Sequence, residues 1–170
     1  LYKPGAITVN DNQTLYIAGG AVVQGGINAF GNNVTIRGRG ILDGLPWPRF
    51  QGPTGELINC HSCTNLKLEG IIVKDSWGWN VELDYNSYVN IQNLKIISNR
   101  FENNDGLDIA NSQHVVVSDS FIRSDDDSIA IKVSVWLPSP RQADDDINVI
   151  RPKLWTDRAH IWKIGAESMA

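Results

Sequence analysis

The sequence predicts an all-β protein, a single-stranded parallel β-solenoid, on three observations. A twelve-residue pattern with apolar residues at fixed places recurs five times. A further apolar pair follows each of the last four copies. Two of those pairs, Leu107/Ile109 and Ile129/Ile131, are each preceded two residues earlier by an aspartate, Asp105 and Asp127, which stand 22 residues apart. A spacing of that size is about one circuit of three short strands, and equivalent residues of successive circuits stack ~4.8 Å apart.

Taken in order, residues 1–32 read as short N-terminal strands. The apolar run Thr14-Leu15-Tyr16-Ile17 ends at Gly19-Gly20, and Ala21-Val22-Val23 ends at Gly25-Gly26. Paired glycines after three or four apolar residues suit sharp corners, and no helical period is present. From residue 33 the repeat decides the fold. Its copies begin at Asn33, Asn65, Tyr88, His114 and Asp146, that is 32, 23, 26 and 32 residues apart. Position two is Val34, Leu66, Val89, Val115 and Ile147. Position four is Ile36, Leu68, Ile91, Val117 and Val149. Position nine is Ile41, Val73, Ile96, Ile122 and Leu154. The third-strand pairs are Val81/Leu83, Leu107/Ile109, Ile129/Ile131 and Trp162/Ile164. Loops of variable length account for the longer steps. A β-sandwich is the alternative, but two-residue hairpin turns such as Asn-Gly are missing. The expectation is one β-helical domain over 1–170, with N-terminal strands over 1–32 and regular coils over 33–170. Because a solenoid needs capped ends, it is also expected to be part of a longer helix, completed by a further segment or chain.

Composition narrows the function classes. A net charge of −4 with no basic cluster gives no footprint for nucleic acid, and no apolar run reaches the ~18 residues of a membrane span. Cys60 and Cys63 form one C-x-x-C, too few ligands for a structural zinc site even with His61 between them. They read as buried thiols, with a local disulfide as the alternative.

The residues two before each third-strand pair are Trp79, Asp105, Asp127 and His160, expected as one column on the side of the solenoid. Asp126 precedes Asp127 and would point inward in a regular strand. Burying an unpaired carboxylate is costly, so the chain is expected to bend over Ser124–Asp127 and turn Asp126 outward. Like charges brought together raise the pKa of at least one member. The result is a proton donor beside ionised bases, the requirement of glycoside hydrolysis. Cation binding is another reading of clustered carboxylates; the hydrolytic reading requires neither metal nor other cofactor. The second acidic run, Asp144–Asp146, reads as a turn. His61 and His114 read as structural. Trp79, Trp136 and Trp155 are candidates for stacking on sugar rings or for packing, and Trp162, at an inward position, for core or wall packing. Lys132 and Arg158 would hold an acidic sugar or pair with nearby aspartates. Asp108 should face outward.

At these residues the chain resembles glycoside hydrolase family 28, the polygalacturonase family. NNDGLD at 103–108 resembles its N-T-D-G-x-D motif. DDSIAI at 126–131 resembles D-D-C-x-A-I, with Ser128 in the Cys position. AHIWKIG at 159–165 resembles G-H-G-x-x-I-G with both flanking glycines replaced. GRGILDG at 38–44 and residues 57–83 fit as well. The resemblance implies a right-handed, pectin-lyase-like parallel β-helix and an inverting hydrolase secreted from the cell or exported to the periplasm. It implies Asp126 as general acid, Asp105 and Asp127 as the pair that activates water, and His160 as a helper of the acid. Inversion carries the further expectation of a wide gap between Asp126 and the other two carboxyls. The substrate would be pectin-like. The replaced glycines and the Trp-rich segment also leave similarity to family 49, dextranase-like enzymes of neutral α-glucans, and a β-helix that binds glycan without cutting it is a third possibility.

Overall fold

The computed structural model describes residues 1–133 and 142–165. Trp136 and the prolines at 138 and 140 lie outside them. Seventeen strands follow in order: β1 (Tyr2–Val9), β2 (Thr14–Ile17), β3 (Val22–Asn32), β4 (Thr35–Gly38), β5 (Ile41–Asp43), β6 (Ile58–Glu69), β7 (Ile72–Lys74), β8 (Val81–Asp84), β9 (Ser87–Gln92), β10 (Lys95–Ile97), β11 (Leu107–Ala110), β12 (Gln113–Ser118), β13 (Phe121–Ser124), β14 (Ile129–Lys132), β15 (Asp145–Ile150), β16 (Lys153–Thr156) and β17 (Trp162–Ile164).

Every strand pairing among the described residues is parallel and joins one coil to the next, which makes the fold a parallel β-helix. Three ladders run along it. One passes through the start of β6, then β8, β11, β14 and β17. A second passes through β2, β4, the end of β6, β9, β12 and β15. The third passes through the start of β3, β5, β7, β10, β13 and β16. The strands before residue 33 already pair this way, β1 with β3 and β2 with β4.

Alternation along each strand explains the core. The residues at positions two and four of the first four repeats are buried, and those of the fifth, Ile147 and Val149, are half-buried. Position nine needs a correction in the first repeat. Leu42, not Ile41, aligns with Val73 and is the buried member. Between Ile36/Leu68 and Ile41/Ile72 the first repeat holds one residue more, and a one-residue slip exchanges the faces of a strand. Glycine permits this tighter corner: a Cβ on Gly38 would lie 1.9 Å from the carbonyl oxygen of Ile17.

The corners also repeat. Position one of every copy, Asn33, Asn65, Tyr88, His114 and Asp146, has φ between 53° and 59°. Position six also has positive φ at Gly70, Asn93, Asp119 and Arg151, between 49° and 78°, and a third corner falls at Ser62, Tyr85 and Asn111. The left-handed region favours Asn, Asp and Gly. Side chains stacked along the axis offset its cost elsewhere. Asn65 Nδ2 donates to Asn33 Oδ1, and Asn33 Nδ2 to Asn12 Oδ1, both at 2.8 Å. The Tyr88 and His114 rings stack with centroids 4.8 Å apart, and His114 Nδ1 lies 3.0 Å from Asp146 Oδ2. Asp145 and Asp146 thus open β15 at a corner remote from Asp105. Cys60 and Cys63 are free, buried thiols, Cys60 lying between Ala29 and Leu83 in the stack.

The ladder predicts where stability resides. Leu83→Ala, at a fully buried position, should lower stability by about 2–5 kcal/mol. Tyr16→Ala, on the outside, should stay within about 0.5 kcal/mol. Urea midpoints with unchanged slopes check both.

Candidate active site

The first ladder builds the site. Ile58, Val81, Leu107, Ile129 and Trp162 are in register on five successive coils. Two residues before each stand Glu56, Trp79, Asp105, Asp127 and His160. Backbone bonds continue the ladder there: Leu57 N donates to Trp79 O, Asn80 N to Asp105 O, Gly106 N to Asp127 O and Ser128 N to His160 O. Trp79, Asp105, Asp127 and His160 therefore fall on consecutive coils. Glu56 extends the column by one coil and was missed in the sequence. Its strand pair is Ile58/Cys60, and a cysteine at the second apolar place hid the signal.

Asp126 joins the column because the chain leaves β13 at Ser124 and re-enters strand only at Ile129. Hydroxyls hold the bend: Ser124 Oγ and Thr156 Oγ1 both donate to Asp126 O, at 2.8 and 2.6 Å. Ser128, in the Cys position of the motif, is buried and its Oγ donates to Trp155 O at 3.0 Å. Asp126 is the part-exposed member of the trio; Asp105 and Asp127 are buried. Oxygens of Asp105, Asp126 and Asp127 lie within 4.8 Å of one another. One cation could bridge oxygens so placed, and a proton shared among them serves equally to relieve their repulsion.

Each carboxyl has specific partners. Asn103 N donates to Asp126 Oδ2 and Asp127 N to Asp126 Oδ1, both at 3.0 Å. His160 approaches Asp127 Oδ1 twice, through its backbone N at 3.0 Å and Nδ1 at 2.9 Å. With Asp127 ionised, Nδ1 carries the proton. Burial, and then the nearby charge of Asp108, push the Asp105 carboxyl well above the usual range, although Lys132 opposes them. Asp108 does face outward from β11, as alternation requires, yet is fully buried there.

The remaining candidates separate. Lys132, only 4% exposed, places Nζ 2.8 Å from Asp108 Oδ1 and 4.0 Å from Asp105 Oδ2. The Trp79 ring covers it, with the ammonium 4.1 Å from the ring centroid. Lys132 is thus committed to aspartates, one of the two roles open to it in the sequence. Arg158 Nε lies 3.0 Å from Asp125 Oδ2, and Nη1 3.6 Å from Glu102 Oε1. Trp155, 58% exposed, is on the outside of β16, beneath Arg123 and donating through Nε1 to Asp157 Oδ1. Its side-chain partners, Arg123 and Asp157, lie along the third ladder and not with the trio. Trp77 is core, edge-on to Trp47. Trp162 stands in register over Ile129 but is 39% exposed.

Fold and site together define a class, a parallel β-helix with acids from successive coils gathered on one face. The chain belongs to glycosyl hydrolases family 28, whose model matches residues 3–135; Asp105, Asp126 and Asp127 fall inside that stretch and His160 beyond it. A probable polygalacturonase of Arabidopsis thaliana is 33% identical over 101 residues, which are 58% of this chain and 22% of the relative. The chain thus spans about a fifth of the length of the curated relatives it matches. The polygalacturonase of Erwinia carotovora ssp. carotovora superposes with a TM-score of 0.77 at 15% identity, covering 95% of this chain and 57% of that one. The family 28 exopolygalacturonase of Yersinia enterocolitica gives 0.70 at 19%, covering 78% and 38%. These likenesses fix the fold as the right-handed β-helix. They lend no support to a neutral α-glucan as substrate.

Buried acids make stability fall with pH. Burial pushes Glu56 to about 8, and Glu82, also crowded by Asp84, to about 7. Both are raised, so between the unfolded value near 4.5 and these values the folded chain binds more protons than the unfolded chain, and stability declines as pH rises. The thermal midpoint should fall from pH 5 to pH 8, and Glu82→Gln should flatten the slope.

Proposed function

We propose that the protein is a glycoside hydrolase that cleaves a pectin-type, uronate-containing polysaccharide outside the cell by general acid and base catalysis. The observation that carries the reading is the trio itself: three carboxylates within 4.8 Å of one another, one tied to His160, at the positions of the family motifs. Membership in family 28 supports the reaction class. No helix among the described residues is long and apolar enough to cross a membrane.

Asp126 is the general acid because it is the member open to solvent, and a glycosidic oxygen must reach it. Its two oxygens accept from backbone N–H groups, which hold the carboxyl in place while the proton leaves. Asp105 and Asp127 activate water: Asp127 takes its proton, and Asp105, whose carboxyl burial holds toward the protonated form, orients it. His160 holds Asp127 and carries a proton at Nδ1 beside the trio. Trp79, part-exposed over Lys132, offers a stacking surface for the sugar next to the trio. Arg158, more than half exposed, supplies positive charge near the acid for a uronate carboxylate. Inversion is what the family resemblance implies; it does not rest on the carboxyl spacing.

Asp126→Asn keeps the shape and removes the proton donor. The rate on a pectic substrate should fall at least ~10²–10⁴-fold with little change in affinity. Asp145→Asn removes the same charge at a remote corner and should leave the rate nearly unchanged. Full activity of folded Asp126→Asn would show that the acid is misassigned, and equal losses in both variants would place the Asp144–Asp146 run in the site. NMR of the first-formed product should show the inverted anomer, and retention would reject the roles given to Asp105 and Asp127.

A further inference from the structure

Position six of the repeat turns each coil into the third ladder, and the trio lies past that ladder's other end, beyond Ser124. Alternation buries Leu42, Val73, Ile96 and Ile122. Their neighbours Ile41, Ile72, Lys95, Phe121 and Lys153 form an outward column, in register on five successive coils. Arg39 stands two residues before Ile41, and a Cβ on Gly70 of the next coil would meet its guanidinium. Cations thus recur on alternate coils, at Arg39, Lys95 and Lys153, over four coil steps or ~19 Å.

None of these three cations enters an ion pair among the described residues. Arg39 Nη1 donates to Gly38 O at 3.1 Å. Lys95 Nζ donates to the carbonyl oxygen of Asn93 at 2.8 Å and to its Oδ1 at 2.5 Å, both uncharged acceptors. Lys153 is exposed. Their neighbours differ: Arg151 grips both oxygens of Asp119 at 2.7 and 2.8 Å, and Arg123 holds Asp157. Burial, and then the like charge of Arg39, push the Lys95 ammonium below its usual range. A carboxylate beside it would offset that repulsion.

Lys95, Phe121 and Lys153 line a groove of about 500 Å³, walled by the Asp119–Arg151 pair. The half-buried Phe121 stands between the two lysines in the column. An occupant that satisfies this strip is elongated, carries negative charge at intervals, and has an apolar face for the ring. A linear polysaccharide of uronates has all three properties. We propose that Arg39, Lys95, Phe121 and Lys153 form a second binding site, separate from the trio, for an extended segment of acidic polysaccharide. The identity of the polymer rests on the proposed hydrolase reading. A segment held here anchors the protein while the trio acts on another stretch, so the groove governs KM on polymer and not kcat.

Binding tests it without cleavage. Calorimetry with de-esterified polygalacturonate compares the full-length protein carrying Asp126→Asn with the same protein carrying Lys95→Gln and Lys153→Gln as well. A contact with an exposed charge is worth up to ~1 kcal/mol, so losing two should weaken binding about tenfold. Lys3→Gln with Lys67→Gln removes two charges from exposed positions elsewhere and should leave affinity nearly unchanged. The fully methyl-esterified polymer should not distinguish the lysine variant from its parent. An equal loss in the Lys3 and Lys67 variant, no loss in the Lys95 and Lys153 variant, or tighter binding of single-stranded DNA than of polygalacturonate overturns the site. Should the double variant fail to fold, Lys153→Gln alone should weaken binding about threefold, and no change would overturn the site equally. With Asp126 intact, the lysine variant should raise KM on polymer and keep kcat. Cleavage with both constants unchanged would sink the groove and leave the hydrolase. Lysine-dependent binding by a folded protein that cleaves no polymer would sink the hydrolase reading and leave the groove standing.

Discussion

Parallel, in-register stacking of coils is the constraint from which the rest of this structure follows. A parallel ladder sets equivalent residues of successive coils one above another, ~4.8 Å apart. Any residue type that recurs in the repeat becomes a column. Apolar residues in the columns become the core, and asparagines become the hydrogen-bonded ladder Asn12–Asn33–Asn65. Aspartates become a stack of like charges. Two carboxylates ~5 Å apart repel by roughly 3 kcal/mol at an effective dielectric near 20. Such a stack cannot ionise fully without a counter-charge or a bound proton.

The site holds both remedies. Lys132 lies between Asp105 and Asp108 with its ammonium sealed by Trp79, and burial with neighbouring charge keeps the Asp105 carboxyl high. Breaking a buried pair by removing one partner is typically costly, about 3–5 kcal/mol, because the other charge is stranded. Lys132 is better understood as holding the aspartates than as a hand for substrate. The same scaffold leaves Asp126 outside the regular strand, where hydroxyls of Ser124 and Thr156 fix the backbone and the side chain meets solvent. The buried acids and the exposed one therefore owe their different environments to one local departure from the strand.

Much of this was legible in the residues. Positions two and four of the repeat, and the third-strand pairs, gave the coils and the column from Trp79 to His160, because period-two alternation and stacking act together on every copy. Position nine failed in the first copy, where the extra corner residue in Gly38–Gly40 moved Leu42 inward in place of Ile41. Glu56 was hidden because its strand carries Cys60 where the others carry Leu or Ile. Lys132 was legible as a cation but not in its commitment, which depends on Asp105 and Asp108 converging from a neighbouring coil. Trp155 was legible as outward, but alternation says nothing of which ladder a side chain leaves from. Asp126 was anticipated on energetic grounds alone: an unpaired inward carboxylate would have cost too much.

The central claim is that a column of acids from successive coils makes a hydrolytic site on pectin-type polysaccharide. Release of reducing ends by the full-length protein from a panel of pectic and neutral polysaccharides tests it most directly. The account predicts release from a uronate-containing polymer and none from neutral α-glucan. Release from α-glucan alone, or from no polymer while the protein is folded, would contradict it.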